Sequence, residues 1–430
     1  MTKGNIAINK KFAKIIENGR IIQEIIEILF NGRMMPLFTP ISPNNCIFCG
    51  SSLKFNENYT RYIISSYGII KCPVVYWICS NPECGKHHTD MILGVTGSAN
   101  YSDEFKDKQI DVRYNGRCTL WNTRIIGEIY TEGLTDFSGR APCPTTLWIY
   151  EQKGGKISAQ ELAAQEINFD GTLYIDGYFV KVGWRKFIEA QIGRAFTDTE
   201  WKKMRYKVIY VVATKDKVVL DFEITNNMPS HVELIPLLKR IKERIPEVQI
   251  KKIVSDEDKA IIGAVKVVFP KTPHAFCVFH QMKTVTKKFA DEFKQKEDIP
   301  IQDMEVYETA NELIAAENAI ESTILYRRII DLAKNSELSE ASRKVIKYIN
   351  KIFINNLNLL KMGFIPETNN TMEEIFSLIN DFVNQTRSLK REWSAKNFFN
   401  NLFAAFNKRS FNTGKWRGHS PVERAKTLHG

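Results

Sequence analysis

The sequence of 430 residues has no long uninterrupted hydrophobic run. A membrane-spanning helix needs roughly 18 or more consecutive apolar residues, so no such segment is expected. The first 20 residues also lack the apolar core of a secretory signal peptide. These two absences favour a soluble protein of the cytoplasm and predict no membrane partner.

Cysteine is also scarce. Eight cysteines in 430 residues are too few for a scaffold built from disulfides. A nucleotide-binding P-loop is missing as well, because neither "GGKIS" nor "TGKWR" has the full Walker A spacing. The sequence therefore gives no support to an ATP-driven motor. Its length predicts two or three domains.

Positive charge, by contrast, is in excess, and the formal net charge is +11. Such an excess favours a polyanionic partner, most simply nucleic acid. Residues 385–430 carry ten Lys and Arg against two acids, and the candidate DNA contacts among them are Lys408, Arg409, Lys415 and Arg417. Aromatic residues lie between these cations: Trp393, Phe398, Phe399, Phe403, Phe406, Phe411 and Trp416. The alternative is an amphipathic helix with a solvated basic face.

Five of the cysteines fall between positions 46 and 84, where they form two short Cys-to-Cys spacings. Zn²⁺ prefers four soft ligands in a tetrahedron. Two closely spaced cysteine pairs on turns, here called knuckles, would supply them: Cys46 with Cys49, and Cys79 with Cys84. We therefore predict a zinc ribbon held by Cys46, Cys49, Cys79 and Cys84. The spacing of four residues in the second knuckle is looser than usual, so free buried thiols are the alternative. The spare ligand types are Cys72, His87 and His88, and we expect Cys72 to be part of the core.

Residues 119–153 contain two helical stretches around a turn, and Pro144 suits the first turn of the second helix. Thr145 and Thr146 would then face outward near the start of that helix. This pattern is typical of a helix-turn-helix, whose second helix reads the major groove of DNA. An ordinary helical pair is the alternative. The "KGGK" stretch at 153–156 predicts a hinge or linker.

Residues 170–280 show the pattern of an α/β layer. Two strand-like runs, 206–214 and 217–225, predict a hairpin, and Ser230 is a candidate N-cap for the helix that follows. The complete order reads β-β-β-α-β-α-β, which is the order of a ribonuclease-H-like mixed sheet. Parallel strands joined by helices place functional groups at the carboxyl ends of the strands.

Two aspartates lie where such a site is expected. Asp176 interrupts the apolar strand "LYIDGYFVKV", and a buried carboxylate is costly unless it is paired or holds a metal. Asp256 ends the strand "KKIVSD". The alternatives are a hydrogen-bonded structural role for Asp176, with Asp170 as an earlier candidate, and an N-cap role for Asp256, with Asp258 as a rival for that cap.

Phosphodiester chemistry can use two Mg²⁺ ions held by two or three carboxylates from distant parts of the chain. A third acid is therefore expected after the long helical segment that follows Asp256. Glu373 and Glu374 begin a helix there, and both would also suit the helix dipole. The residues themselves do not choose between them, because helical phase gives each acid one apolar and one polar neighbour.

Five motifs together resemble a DDE transposase of the Mutator-like and prokaryotic insertion-sequence type: "YIDGYFVKV", "IVSDEDKAI", "HAFCVFH", "TNNTMEEIF" and "GHSPVERA". The resemblance covers roughly residues 170–425. It implies that Asp176, Asp256 and Glu373 hold Mg²⁺ or Mn²⁺ as the catalytic triad of acids. Glu373 is preferred over Glu374 because Asn370-x-x-Glu373 matches the context in which the family places its glutamate.

The resemblance also implies a role for Cys277 and His280, which match the family's signature between the second and third acids. We expect this pair to hold a helical insertion onto the catalytic core or to contact DNA; core burial of Cys277 is the alternative. Two ligands alone do not predict a zinc site. His274 is expected to be packed.

The predicted protein is thus a multidomain α/β transposase that cleaves DNA and transfers strands at the ends of a mobile element. Double-stranded DNA with terminal inverted repeats is the implied partner, the chain is expected to act as a homodimer or higher oligomer, and its place is the prokaryotic nucleoid. The alternatives are a domesticated, catalytically silent DNA-binding protein and a ribonuclease-H-like nuclease or resolvase.

The chain is expected to divide into six parts. They are an N-terminal helical segment (1–40), a zinc ribbon (41–100), a helix-turn-helix (101–155), the first part of the ribonuclease-H-like core (165–282), an all-helical insertion (283–366), and the end of the core with a basic C-terminal region (367–430).

Overall fold

The computed structural model describes residues 27–30, 33–36, 38 and 40–429, with gaps at 66–67, 97–99, 132–140, 168, 182–184, 227–228, 335–336, 384–390, 413 and 415. The chain forms two compact units, Met1–Gly154 and Gly155–Gly430. Most of the helix predicted near the N-terminus lies outside the described residues. Its last part is wrong, because Glu27–Phe30 pairs as a strand with Arg33–Pro36. The finer division into six parts remains a prediction.

The first unit contains short sheets and helices. In chain order its elements are β1 (Glu27–Phe30), β2 (Arg33–Pro36), β3 (Pro40–Ile41), β4 (Leu53–Ser65), β5 (Gly68–Cys79), β6 (His87–Thr89), β7 (Met91–Ile92), α1 (Asp103–Asn115), α2 (Leu120–Thr131) and α3 (Pro144–Ala164). Strands β4, β5 and β6 form an antiparallel sheet, and β3 pairs with β7. Cys72 is buried in a cluster with Phe38, Ile63 and Val74, so its predicted place in the core is confirmed.

The predicted linker at 153–156 is helical, because these residues lie inside the continuous helix α3, although the boundary between the two compact units does fall there, between Gly154 and Gly155. Glycine weakens a helix interior, but here it has a packing reason. A Cβ on Gly155 would lie 2.4 Å from the backbone oxygen of Asn397, so only glycine allows the two backbones to approach this closely.

The second unit is built around a five-stranded sheet. Its elements are β8 (Thr172–Lys181), α4 (Arg185–Ile192), α5 (Asp198–Met204), β9 (Tyr206–Thr214), β10 (Val219–Asn226), α6 (His231–Arg244), β11 (Lys252–Ser255), α7 (Lys259–Val268), β12 (His274–Phe276), α8 (Val278–Ala290), α9 (Ile301–Ala315), α10 (Ala319–Leu332), α11 (Glu340–Lys361), α12 (Asn370–Val383), α13 (Glu392–Lys408) and α14 (Pro421–His429).

The sheet has the strand order β10-β9-β8-β11-β12. Strand β8 is central, β11 and β12 run parallel to it, and β9 runs antiparallel. The predicted β9–β10 hairpin is present, and Ser230 is the N-cap of α6, with its N–H donating to Glu233 Oε1 at 3.2 Å. The predicted element order places β9 directly after β8, and this is wrong, because the helices α4 and α5 lie between the two strands. Helix α5 begins with its own capping box, formed by Thr197 and Glu200.

Side chains of β8 alternate between the two faces of the sheet, as the strand period requires. Leu173 and Ile175 belong to the apolar core that α6 and α7 also line. Tyr174, Asp176 and Tyr178 form hydrogen bonds with residues of the segment 367–380. The strand therefore presents its even-numbered side chains to α12 and to the residues just before it.

Helices α8–α11 have an apolar core of their own, which includes Val285, Val306, Ile329 and Ile349. One link between these helices and the sheet is Glu257, whose Oε1 accepts a hydrogen bond from the Tyr348 hydroxyl at 2.9 Å. The described residues of this segment are thus mostly helical and packed around a core of their own, as the pattern of residues 283–366 predicts.

The outer edge of β10 is covered by side chains. Asn407 accepts a hydrogen bond from the Val219 N–H at 2.9 Å and donates one to the Val219 carbonyl at 2.8 Å. Arg244 donates to the Leu220 carbonyl at 3.0 Å, and Arg240 donates to the Phe222 carbonyl at 3.3 Å. In the first half of β10, four backbone groups of the kind that an edge strand offers to another strand are therefore already bonded.

Candidate functional site

Asp176 and Asp256 lie side by side at the carboxyl end of β11. The parallel register pairs Ile175 with Ser255, so the next residue of each chain segment is an aspartate. Asp176 is only 6 % exposed, whereas Asp256 is half-buried. The sheet therefore brings together two acids that are 80 positions apart in the sequence, as expected for strand ends that share one edge.

Both oxygens of Asp176 are held in place. The Gly177 N–H donates to Oδ1 at 2.7 Å, and the Asn369 amide Nδ2 donates to Oδ2 at 3.1 Å. Burial, and then the nearby charge of Asp256, raise the pKa of Asp176 to about 8. No Lys or Arg among the described residues forms an ion pair with this carboxylate, so its buried charge is destabilising, and a bound metal ion would relieve that cost.

Asp256 does not cap the following helix. Asp258 takes that role, because its Oδ1 accepts a hydrogen bond from the Ala260 N–H at 2.7 Å. Asp256 Oδ1 instead accepts the Asp258 N–H at 3.0 Å, which fixes the turn after β11. Burial raises the pKa of Asp256 to about 6. The cap alternative for Asp256 is therefore wrong, and the rival cap is the one observed.

Gly177 in β8 and Tyr210 in β9 both support this turn. The Tyr210 hydroxyl donates to Asp258 Oδ2 at 2.7 Å. A Cβ on Gly177 would lie 2.9 Å from the Tyr210 ring, so the glycine beside Asp176 leaves room for that ring. Sequence reasoning missed both residues, although a glycine directly after a buried aspartate was a visible signal of close packing.

Glu373 and Glu374 point in different directions on α12. Glu374 forms an ion pair with Lys217 in the turn between β9 and β10. Glu373 is exposed and close enough to His280 for its charge to raise the pKa of that ring, against the larger lowering effect of burial. No hydrogen bond or ion pair in the described structure joins Glu373 to Asp176 or Asp256.

The helical phase nevertheless places Glu373 on the sheet-facing side. Phe376 lies against Tyr178 with ring centroids 5.3 Å apart, and Asn380 accepts the Tyr178 hydroxyl at 2.9 Å. Glu373 precedes these two residues by three and seven positions, the spacing of one helical face. The same face continues back to Asn369, which contacts Asp176.

Cys277 links β12 to the segment before α12. Its thiol is fully buried and accepts the Asn369 N–H at 3.2 Å, while its own N–H donates to the Ser255 carbonyl at 2.7 Å. His280 is half-buried in the first turn of α8, and its Nδ1 has no hydrogen-bond partner among the described residues. His274 is packed, as expected, with Nε2 2.8 Å from the Ser255 hydroxyl.

The first unit carries a second cluster. Four sulfur atoms all lie within 4.8 Å of one another, those of Cys46, Cys49, Cys79 and Cys84. The Cys46 and Cys84 sulfurs are 3.7 Å apart, and those of Cys49 and Cys79 are 3.5 Å apart. The predicted four-cysteine set is thus assembled, and it fits tetrahedral Zn²⁺.

The longer second knuckle is accommodated by an extra turn. The N–H groups of Cys84 and Gly85 both donate to the Asn81 carbonyl, at 3.1 and 3.0 Å. Hydrogen bonds from Ser51 lower the pKa of the Cys49 thiol to about 6, which favours the thiolate that zinc requires. His88 is the spare residue nearest to the site, with Nε2 3.2 Å from the Cys46 sulfur.

The candidate DNA contacts are dispersed. Thr145 is exposed, but Thr146 is half-buried and its hydroxyl lies 3.2 Å from the Cys143 sulfur. Lys408 forms an ion pair with Glu161 at 2.6 Å. Arg417 is exposed and Arg409 half-buried. Lys415 lies outside the described residues.

The aromatic residues of α13 do not form a surface for nucleic acid. Phe398, Phe399 and Phe403 are buried, and the Phe403 ring packs against Phe222 with centroids 5.2 Å apart. Residues 397–404 are all buried, so this stretch of the helix is enclosed on every side rather than amphipathic, and DNA contact by the basic residues of 385–430 stays a prediction. Trp393 is half exposed.

Ionisation of Asp176 should destabilise the metal-free protein, and Asp176→Asn should remove this effect. Because the folded-state pKa is raised from 3.8 to about 8, the fold loses stability as the pH rises through this interval and has its full stability below it. We expect the variant to unfold at a higher temperature than wild type at pH 8 in the presence of a chelator. The difference should shrink as the pH falls and vanish below about pH 4, near the ordinary pKa of 3.8. A wild-type midpoint equal to or above that of the variant at pH 8 would contradict the buried charge.

The described structure has no helix that is both long and apolar enough to cross a membrane. Its fold and candidate site define a mixed α/β protein with a four-cysteine cluster and a pair of neighbouring aspartates, one within β8 and one just after β11.

Residues 205–284 match the family model of the MULE transposase domain. This stretch runs from the start of β9 into α8 and includes Asp256, Cys277 and His280, but neither Asp176 nor Glu373. The match confirms the resemblance to Mutator-like transposases and supports a transposase-type function. A search of the curated proteins finds no match.

Proposed function

We propose that this protein is a DDE-type transposase that cleaves DNA at the ends of a mobile element and transfers the strands to a new site. The observation that carries the proposal is the adjacent placement of Asp176 and Asp256 at one sheet edge, next to the region that matches the transposase domain. The strand order, with β8 central and β9 antiparallel, supports a ribonuclease-H-like core. The separately packed helices α8–α11 correspond to the proposed helical insertion.

Asp176 and Asp256 would hold Mg²⁺ or Mn²⁺, and Glu373 is the proposed third ligand. Both aspartates fit a hard cation, because they are carboxylates brought together in a partly buried place where their charges repel. The bound metal would supply stabilisation of the charge that develops on the phosphate oxygens. The chain's own contribution is to fix the acids: Gly177 and Asn369 orient Asp176, and the turn capped by Asp258 orients Asp256.

The proposed reaction has two steps that balance with water alone. In the first, a water oxygen attacks the phosphorus at the element's end, the bond from phosphorus to the 3′ oxygen breaks, and that oxygen takes a proton. In the second, the freed 3′ hydroxyl attacks a phosphodiester of target DNA. A new bond from phosphorus to oxygen replaces the target's own, and a target 3′ hydroxyl leaves.

Double-stranded DNA with terminal inverted repeats is the proposed partner, bound by a homodimer or higher oligomer. The net charge of +11 supports a polyanionic partner. The zinc ribbon and the helices α2 and α3, as a helix-turn-helix, are the proposed DNA-binding parts, with Thr145 the exposed residue at the start of α3. The proposed location is the prokaryotic nucleoid.

Comparison of two neighbouring glutamates tests this function. We expect Glu373→Gln to lower the rate of Mg²⁺-dependent cleavage of DNA carrying the element's ends by about a hundredfold or more, since a metal ligand contributes several kcal/mol to such a step. Glu374→Gln is the matched control. It removes an ion pair with Lys217 that is more than half exposed on the glutamate side, and such pairs contribute little, so cleavage should fall by less than about threefold.

Three other outcomes would change the assignment. A larger loss in Glu374→Gln than in Glu373→Gln would exchange the two acids. Cleavage without strand transfer would favour a ribonuclease-H-like nuclease or resolvase. DNA binding without cleavage in any divalent cation would favour a domesticated, catalytically silent protein.

A further inference from the structure

Asn369 occupies a central position that its neighbour Asn370 does not share. Asn369 is 2 % exposed, whereas Asn370 is exposed. The Asn369 carbonyl accepts the Met372 N–H at 2.9 Å, which begins α12. The residue lies where β8, the end of β12 and the start of α12 meet.

The contacts of Asn369 lead directly to the acidic pair. Its side-chain Nδ2 donates to Asp176 Oδ2 at 3.1 Å, and its backbone N–H donates to the Cys277 sulfur at 3.2 Å. Cys277 is in turn bonded to the Ser255 carbonyl, immediately before Asp256. One residue therefore joins the neighbourhoods of both aspartates.

The remaining atom of this amide lacks a partner. Asn369 Oδ1 is buried and accepts no hydrogen bond from any described residue. A buried acceptor without a partner costs free energy, and the few such atoms in folded proteins often receive a bound water or ion. The amide nitrogen faces Asp176, and this is the orientation required once a bound cation keeps the carboxylate ionised, because an ionised carboxylate accepts hydrogen bonds only.

We propose that Asn369 belongs to the divalent-cation site: its amide nitrogen orients Asp176, and its amide oxygen is a further oxygen donor of that site. Amide oxygens are ordinary ligands of hard cations. The inference rests on the proposed function, since it concerns the same cation. It also adds a direct contact with Asp176 from the segment after α11. Glu373, the proposed third ligand, is exposed and makes no such hydrogen bond in the described structure.

Direct measurement of cation binding to the full-length protein tests the proposal without any DNA. Calorimetric titration with Mn²⁺ should show that Asn369→Ala binds the cation about tenfold more weakly than wild type does. A loss of this size is usual when a residue that orients a metal ligand is removed. Asn370→Ala is the matched control, because it removes the same side chain one position away on the surface. Its affinity should stay within about twofold of wild type.

A second variant separates the oxygen from a purely structural role. Asn369→Asp keeps the size, the oxygen and the backbone hydrogen bond to Cys277, but it adds a negative charge beside Asp176. We expect its metal-free form to melt at a lower temperature than wild type, and Mn²⁺ to bind at least as tightly and to restore the lost stability. Equal weakening of Mn²⁺ binding in Asn369→Asp and Asn369→Ala would overturn the oxygen-donor role.

The failures are distinguishable. Wild type that binds Mn²⁺ while Asn369→Ala binds it equally well would reject the inference and leave the proposed function standing. Wild type that binds no divalent cation, with or without DNA, would reject the proposed function and the inference with it. Should Asn369→Ala not fold, the binding and melting of Asn369→Asp decide the matter.

Discussion

Replacement of either Asp176 or Asp256 by asparagine should abolish Mg²⁺-dependent DNA cleavage, with a loss of at least about a thousandfold. A metal that stabilises transition-state charge contributes several kcal/mol, and each 1.4 kcal/mol is a factor of about ten in rate. Both side chains lie where β8 and β11 adjoin, so each loss removes one of the two acids on which a shared cation depends. Asparagine keeps the size of the side chain, which limits the effect on folding.

DNA affinity should remain within a few-fold of wild type in both variants, because affinity depends chiefly on phosphate contacts elsewhere. Asp221→Asn is a suitable control. Asp221 is also an aspartate within an apolar strand, but it pairs with Arg240 at 2.6 Å on β10, two strands away from Asp176. Its loss should leave cleavage nearly unchanged. Cleavage at the wild-type rate by Asp176→Asn or Asp256→Asn would remove the basis of the proposed active site.

The second large effect concerns zinc. The purified protein should contain about one Zn²⁺ per chain, and Cys79→Ser should lose it together with the ordered structure of the ribbon. Structural zinc contributes on the order of 10 kcal/mol or more to small domains of this kind, which exceeds what the small apolar cluster around Ile63 and Val74 can replace. Elemental analysis would measure the metal, and hydrogen exchange over β4 and β5 would measure the loss of structure.

Cys143→Ser is the matched control for zinc, because Cys143 is an exposed thiol of the same unit that is not part of the four-cysteine cluster. It should keep the metal and the protection of both strands. A metal-free wild type in which Cys49 and Cys84 react freely with a thiol reagent, while β4 and β5 stay protected from hydrogen exchange, would rule out the zinc ribbon.

Local patterns in the sequence were sufficient for much of the second unit. The β9–β10 hairpin, the Ser230 cap and the strand that ends at Asp256 each follow from apolar periodicity and from residues next to one another in the chain. The position of Asp256 could be predicted for the same reason, since the carboxyl ends of parallel strands are where functional groups gather. Asp176 was visible instead as a carboxylate inside an apolar strand, and it meets Asp256 because β8 continues past the end of β11. The four-cysteine set followed from ligand chemistry alone.

Features that depend on contacts between distant segments could not be read in the same way. The glycine pair at 153–156 resembles a linker until the backbone of Asn397 is seen against Gly155. The aromatic residues of α13 are interspersed with cations, and only the sheet face beside Phe222 shows that they are core. Asn369 and Asn370 are identical neighbours, and only the folded chain distinguishes the one that contacts Asp176.

The covered edge of β10 limits how copies of this protein can associate. Asn407, Arg240 and Arg244 already bond the backbone groups of that edge, and the opposite edge strand, β12, is only three residues long. The first half of one border is therefore closed to a strand from a second copy, and the other border offers only a short length for pairing. In the proposed assembly on two DNA ends, contacts between copies would then be made through helices, loops or the DNA itself, so that many copies could crowd on DNA without joining into continuous sheets.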